Sequence, residues 1–372
     1  MLTGVLGIRM FLMVGKTIPL PAPANLTQAL QRVEVTNDAD QGDGFQITFA
    51  LSKEVGVDYS LLLNGIVDPF NRVVIGVLLG AIPEVLIDGV ITHHQVTPSN
   101  DPGASTLTVT GKDTSKLLDL EEKDAKFENM PDFLIVTTIL AEYARYGLIP
   151  MAMPTADIPI MLERIPRQSS TDLRYIQQLA QRNGYVFYTE PLAPGVSTAY
   201  FGPENRLGIP QPALTMNMGA HNNLRSLDFS YDSLAPVGTT GSFLEPITGM
   251  TIPIPSLPSL RVPPLALFPA PARRTTILRE AANQSPTQAA TTAVASVTRS
   301  PEAVSGQGEV DTVRYGAVLR ARKLVGVRGV GFSYDGLYYV RRVTHTIERG
   351  DYSQKFSLSR EGTGSLLPVV RT

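Results

Sequence analysis

The sequence predicts a mainly β protein with a small α/β insertion, and three observations carry the prediction. The stretch Gly329–Glu361 alternates apolar and polar residues with period two. Residues 26–118 hold several short runs of the same pattern, punctuated by turn residues. Between residues 119 and 190 the apolar period lengthens to that of helices. Alternation with period two sends successive side chains to opposite faces, so a strand with one apolar face covers a core.

In Gly329–Glu361, the pair Asp335-Gly336 reads as a two-residue primed hairpin turn, with Gly336 at positive φ and Phe332–Tyr334 as the strand before it. Leu337, Tyr339, Arg341, Val343, His345 and Ile347 then fall on one face. Tyr338, Val340, Arg342, Thr344, Thr346 and Glu348 fall on the other. Arg349-Gly350-Asp351 turns the chain into a further strand through Leu358. The polar face carries no cluster resembling a catalytic site.

Residues 1–25 begin apolar and end in a Pro-rich run, and read as an N-terminal extension. The apolar run is too short for a membrane span, lacks a basic leader and contains Arg9, so neither a transmembrane helix nor a signal peptide is expected. Gly15-Lys16-Thr17 resembles the end of a phosphate loop, but Met10 stands where the motif needs Gly, and Pro19 and Pro21 replace the helix. Strands are predicted at Leu30–Thr36, Phe45–Leu51, Val73–Leu79, Val85–Val96 and Thr106–Gly111, with turns at 80–83, Asp88-Gly89 and 100–103. Several short strands with regular turns indicate a barrel or a sandwich.

Pro131 opens a predicted helix that ends at Gly147, with Ile135, Val136, Ile139, Leu140 and Tyr143 as its stripe. Ser169 with Asp172 three residues on reads as the cap of a second helix, ended by Asn183-Gly184. Strands resume at Tyr185–Thr189, Thr198–Phe201, Ala213–Asn217 and Leu227–Tyr231. From 233 to 307 repeated prolines exclude a central strand or a long helix, so extended chain docked through its apolar residues is expected, with a short helix from Pro286 capped by Ser285. A second β unit follows from Val310, with first strands at Ala317–Leu319 and Leu324–Val327.

Composition narrows the function. A chain of 372 residues with 43% hydrophobic content can bury more than one core without staples. The net charge of −2 offers no electrostatic footprint for nucleic acid. Zero Cys removes disulfides, thiol catalysis and Cys-ligated zinc together. No nucleophile elbow, zinc-protease motif or phosphate loop occurs, so no residue is assigned a catalytic, cofactor-binding or metal-ligating role. His93 and His94 are neighbours on a strand and point to opposite faces, so they cannot share one ion. The carboxylate groups Asp38, Asp40, Asp43 and Glu121, Glu122, Asp124, Glu128 read as solvated charges.

A family resemblance rests on several short stretches taken in order. They are Leu107 through Asp113, Leu117-Leu118-Asp119, Phe127 through Met130, Arg167-Gln168-Ser169 through Asp172-Leu173, Leu179-Ala180, Asn183-Gly184 and Phe187. Tyr200 through Pro203, Gly331, Gly336 through Val340, Val343, His345 and Phe356 complete the set. Together they resemble the late control D family of phage tails, over roughly residues 26–362. The resemblance implies a structural baseplate hub of a contractile injection system, with two tube-like antiparallel β-barrels per chain and three chains in a ring. It implies a homotrimer between a hexameric inner tube above and a trimeric spike below, beside other baseplate subunits, assembled in the cytoplasm, without enzymatic activity, cofactor, nucleic-acid recognition or membrane contact. It divides the chain into an extension 1–25, a first barrel 26–118 closed by 196–232, an insertion 119–195, a connecting segment 233–308, a second barrel 309–365 and a tail 366–372. The chain ends at Thr372 without a β-helix or lysozyme-like extension, so the spike is expected on a separate polypeptide. The competing classes are a cell-wall-degrading tail enzyme, which loses activity on one carboxylate substitution, and a monomeric β-rich binding module.

Overall fold

A computed structural model of the protein describes residues 8–52, 59–80, 82–101, 103–157, 165–244, 251–257, 261–278, 291–292, 294–296, 298, 300 and 302–366. The predicted mainly β fold is present, but its two β units are halves of one sheet. Among the described residues thirteen strands form the main sheet, eleven of them in one path that starts from Leu224–Tyr231 and runs through Val304–Asp311, Asp351–Arg360 and Gly336–Glu348 into Leu30–Asp38. From there the sheet runs through Gly44–Ala50, Thr106–Asp113, Ile82–Thr97 and Arg72–Leu79 to Ile8–Gly15 and Leu20–Pro21. Each half encloses its own core. Val33, Val35, Ile47, Phe49, Ile75 and Leu86 lie in the first, and Leu214, Val304, Val327, Tyr338, Val340 and Phe356 in the second.

The predicted extension 1–25 is corrected: Ile8–Gly15 pairs antiparallel along Arg72–Leu79 and buries Leu12 and Val14 in the first core. Its alternation is that of a half-buried strand, which its overall apolarity obscures. The assignment of 196–232 to the first barrel is corrected as well. Val196–Gly202 pairs within the insertion, while Gln211–Thr215 and Leu224–Tyr231 pair with the second half. Asp88-Gly89 makes no turn and lies inside the unbroken strand Ile82–Thr97. A side chain at 89 would meet the Lys112 carbonyl oxygen at 2.2 Å, so the glycine serves close strand approach.

The insertion has a third core around Ile135, Val136, Ile139, Ile176, Leu179 and Phe201. Its first helix, Asp132–Ala141, passes through a 3-10 turn to Gly147 at φ 74, and its second, Asp172–Asn183, stops at Gly184 at φ 68. The second helix is capped by Thr171, whose hydroxyl accepts from Arg174 N, and not by Ser169, which is paired in Arg167–Thr171. Ala317–Leu319 is not a strand: the chain there follows the short helix Thr312–Tyr315, and Leu319 N is held by the Gln354 side chain at 2.7 Å.

The connecting segment carries strands where irregular chain was predicted. Val237–Leu244 lies between Thr251–Leu257 and Arg274–Leu278, which puts Pro253 and Pro255 on an edge strand, where a missing N–H is tolerated. Ala266–Pro269 pairs with Gly362–Ser365, and Leu265 is buried, so this part is docked. Pro246, Pro258, Leu260, Ser285 and Pro286, and the side chains of Ile252, Ile254 and Leu257, lie outside the described residues; Thr291 and Thr292 are helical.

The hairpin at Asp335-Gly336 is replaced by a loop over 329–335, with Phe332–Tyr334 in its turn and Asp335 accepting from Val330 N at 2.9 Å. Gly336 does have positive φ, 121°, for a different reason: a Cβ there would press on Arg360 Nη1 and Ser365 Oγ, both 3.0 Å away. Arg360 is buried and donates to the carbonyls of Ser333, Asp335 and Gly362, closing the loop. Gly336→Val is therefore expected to lower stability by about 1–3 kcal/mol without a register slip, read by chemical denaturation. The face assignment of Gly336–Glu348 is also revised. A bulge between Val340 and Arg342 switches the alternation, so Tyr338, Val340 and Val343 share the second core while Tyr339 packs with Leu265 and Leu324.

The two halves repeat one plan. In the first, Leu30–Asp38, Gly44–Ala50, Thr106–Asp113, Ile82–Thr97 and Arg72–Leu79 pair antiparallel in that order. In the second, Leu224–Tyr231, Val304–Asp311, Asp351–Arg360, Gly336–Glu348 and Leu324–Arg328 do the same. Phe70 and Arg322 occupy matching positions before the fifth strand of each half and both have positive φ, 67° and 63°. Their amides donate to Ile91 O and Val340 O, each at 2.8 Å.

Candidate functional site

The halves meet where Gly336–Glu348 pairs along Leu30–Asp38, with Arg342 opposite Asp38 and Glu348 opposite Arg32. Charge is divided unequally across this joint. Four arginines of the second half reach acids of the first. Arg342 Nε bonds Asp38 Oδ2 at 2.5 Å, and Arg320 bonds Glu84 and the Val85 carbonyl, each at 2.5 Å. Arg322 reaches Asp43 at 2.6 and 3.0 Å, and Arg341 stands 3.6 Å from Asp40. Arg322 also lies over the Tyr188 ring of the insertion, 4.6 Å from its centroid, so three parts of the chain converge on one guanidinium.

Asp38 and Asp43 are buried, which corrects their reading as solvated charges. The strands on either side bring them under the second half, something their spacing in sequence does not reveal. Burial pushes the Asp38 carboxyl up, but the N–H groups of Asp40 and Gln41 and the Arg342 guanidinium outweigh it and hold it below the ordinary range. Burial, followed by the neighbouring Asp43 charge, pushes the Asp113 carboxyl up. Glu121, Glu122, Asp124 and Glu128 remain exposed, as read from the sequence.

A second ion cluster fastens the connecting segment. Arg206, Arg261 and Arg341 surround Glu204 and Glu302, with Arg206 also bonded to Glu361. Glu361 in turn accepts from Leu265 N and, at 2.7 Å, from Ala266 N. Burial opposes the Glu302 charge, yet Arg261, Arg206 and Arg341 hold its carboxyl down at about 2. A cavity of about 570 Å³ opens beside the cluster, lined in part by Tyr185, Val262 and Arg341. Every acid in this group is matched to a guanidinium, the arrangement of a fastening and not of a general acid facing a base. Arg72 and Asp88 make a further buried bidentate pair at 2.7 and 2.8 Å, and Asp88 accepts from Gly195 N of the insertion.

His345 sits at the joint, fully buried, with Nδ1 2.9 Å from the Tyr352 hydroxyl. Burial, followed by the Arg320 charge, pushes its pKa down to about 3. His93 is exposed and His94 half-buried on successive positions of Ile82–Thr97. Among the described residues no group of three or more His, Asp or Glu is arranged to hold a metal ion. No helix among them is long and apolar enough to cross a membrane. The arginines at 206, 261, 320, 322 and 341 escaped the sequence reading, because an isolated Arg carries no sign of which acid it will meet.

No protein-family model matches the sequence, and no curated protein does. Solved structures do match. A prophage MuSo2 43 kDa tail protein from Shewanella oneidensis aligns with TM-score 0.64 at 13% identity, over 95% of this chain and 98% of that one. A tail protein from Neisseria meningitidis gives 0.61 at 13% identity, over 96% and 98%. An Escherichia coli component of the type VI secretion system, described as similar to the T4 bacteriophage tail proteins gp27 and gp5, gives 0.56 at 13% identity, over 91% and 77%. The chain therefore has the fold of phage tail proteins and of a type VI secretion component, as the sequence resemblance implied.

Proposed function

We propose that the protein is a structural hub in the baseplate of a phage-tail-like contractile injection particle, joining a hexameric inner tube to a trimeric spike. The observation that carries this reading is the doubled plan of the sheet. One chain presents two β units of the same strand order, bonded side by side. Three copies then offer six similar units to a sixfold tube while keeping threefold symmetry for a spike. The fold shared with tail proteins supports the same role. The ion clusters hold surfaces in place and do no chemistry in this reading. Its partners are two further copies of the chain, a tube protein above, a spike protein below and neighbouring baseplate subunits, assembled in the cytoplasm.

Electron microscopy of the purified protein tests it. A ring with threefold symmetry and six-lobed wall density is expected, and antibody against the protein is expected at the tube–spike junction of intact particles. A stable monomer at micromolar concentration by light scattering would favour a β-rich binding module. Cell-wall hydrolysis lost on substitution of one carboxylate would favour a tail enzyme.

A further inference from the structure

We infer that the cavity beside the second ion cluster, with a smaller one next to it, binds an uncharged oligosaccharide built of hexose or N-acetylhexosamine units. All four parts of the chain line the larger cavity: Ala39 and Asp40 from the first half, Tyr185 from the insertion, Arg261 and Val262 from the connecting segment and Ser359 from the second half. Its volume of about 570 Å³ is that of a small-ligand site. The second cavity, of about 320 Å³, shares Asp40 and Arg341 with it, so an elongated ligand can occupy both.

The smaller cavity lies over the outer face of the sheet, where Gln307, Ser357, Arg342 and Asp38 are successive partners across four strands. Lys355 and Thr344 stand opposite each other in the next row. Backbone N–H and C=O groups of this floor are spent in the ladder, so recognition falls to side chains. A peptide adding as a strand would need a free sheet edge instead.

The lining holds strong donors and strong acceptors in balance. The cations Arg206, Arg261, Arg341, Arg342 and Lys355 stand against the acids Asp38, Asp40, Glu204 and Glu302, and Glu361 takes a further bond from Arg206. An anionic ligand would find these guanidiniums already paired, and a wholly apolar one would strip water from charges without replacing it. A sugar hydroxyl accepts and donates at once, so it can bond a guanidinium and a carboxylate together. Arg206 Nε is buried and has no hydrogen-bond partner among the described residues, with Glu204 3.5 Å away, which leaves a donor for such a hydroxyl.

The rest of the lining is apolar and held in place. Tyr185 donates its hydroxyl to the Pro154 carbonyl at 2.6 Å, and its ring meets Phe201 edge-on, 5.4 Å between centroids. Val262, 77% exposed, and Pro203 add to this apolar surface. A ring held in this way is a platform for the C–H face of a pyranose. Arg341 is fixed too: its Nε donates to Ser359 Oγ at 2.8 Å, and its guanidinium lies over the Tyr339 ring, 5.0 Å from the centroid. Groups ordered beforehand lose little freedom when a ligand arrives. The site is complete within one chain, so it stands or falls apart from the hub role.

Isothermal titration calorimetry of the full chain with cellopentaose and penta-N-acetylchitopentaose tests the inference. The first sugar offers hydroxyls alone, the second acetamido groups as well. Saturable binding of at least one is expected, with a dissociation constant below about 1 mM. Tyr185→Ala is expected to weaken it about tenfold. That ring also packs within the insertion, so Val262→Glu, at an exposed position, serves as the second variant: about fivefold weaker binding is expected with an unchanged melting temperature. Gln307→Ala, in the smaller cavity, is expected to cost about threefold. No binding of either sugar at about 2 mM, binding that none of the three variants changes, or preferential binding of hexaglutamate, the mark of an anionic peptide site, would each overturn the inference.

Discussion

Arg322→Met is expected to destabilise the protein by about 3–5 kcal/mol, measured by urea denaturation at neutral pH. The guanidinium is 7% exposed and donates to both Asp43 oxygens and to the Asp38 carbonyl. Removing it leaves the Asp43 carboxylate, 2% exposed, without its cation, next to Asp113 at the same site. An uncompensated buried charge costs far more than the net value of the intact pair. Asp43→Asn in the Arg322→Met background is expected to recover part of the loss, since it removes the buried charge and its amide oxygen can still accept from Asp38 N, although Asn37 Nδ2, which meets the other Asp43 oxygen, then loses that acceptor. A change below about 1 kcal/mol for Arg322→Met alone would show the joint to be held by its strand pairing and apolar contacts instead.

Acid is expected to loosen the joint and the strapped segment in two steps. The His345 pKa falls from 6.5 to about 3 on folding, so below pH 6.5 the unfolded chain takes up a proton that the native chain refuses. Stability should drop by about 1.4 kcal/mol per pH unit from 6.5 towards 3, roughly 4–5 kcal/mol in all. Glu302 falls from 4.5 to about 2, so its contribution is complete above pH 4.5 and disappears as pH falls through 2. Its loss frees Arg206, Arg261 and Arg341 from their shared acid. Thermal unfolding followed from pH 7 to 2 tests this, and His345→Gln is expected to flatten the curve between 6.5 and 4.5. An unchanged slope in that variant would remove His345 from the account.

Most strands of the two halves and both helices of the insertion were legible because each follows a local rule. Leu30–Asp38, Gly44–Ala50 and Thr106–Asp113 alternate about one apolar face, Arg72–Leu79 is a near-continuous apolar run, and Asp132–Ala141 and Asp172–Asn183 carry helical stripes with Gly147 and Gly184 at their ends. Fold class, insertion and absence of a metal or nucleophile motif follow from such short-range patterns. Which strand pairs with which does not, because a strand such as Ile8–Gly15 or Leu224–Tyr231 has the same alternation whichever half it joins. Bulges are hidden for a related reason: one unpaired residue at Thr92 or Arg341 reverses every face beyond it and leaves no mark on composition.

By itself, then, the sequence determined most strands of the two halves, both helices of the insertion and the absence of a known catalytic motif, since those depend on residues a few positions apart. Only the tertiary structure decided the continuous sheet, the repeated plan and the burial of Asp38, Asp43 and Glu302 under arginines. Arg322 and Asp43 are 279 residues apart in the chain, and contacts at that separation are set by how the sheet is assembled, not by either residue's neighbours.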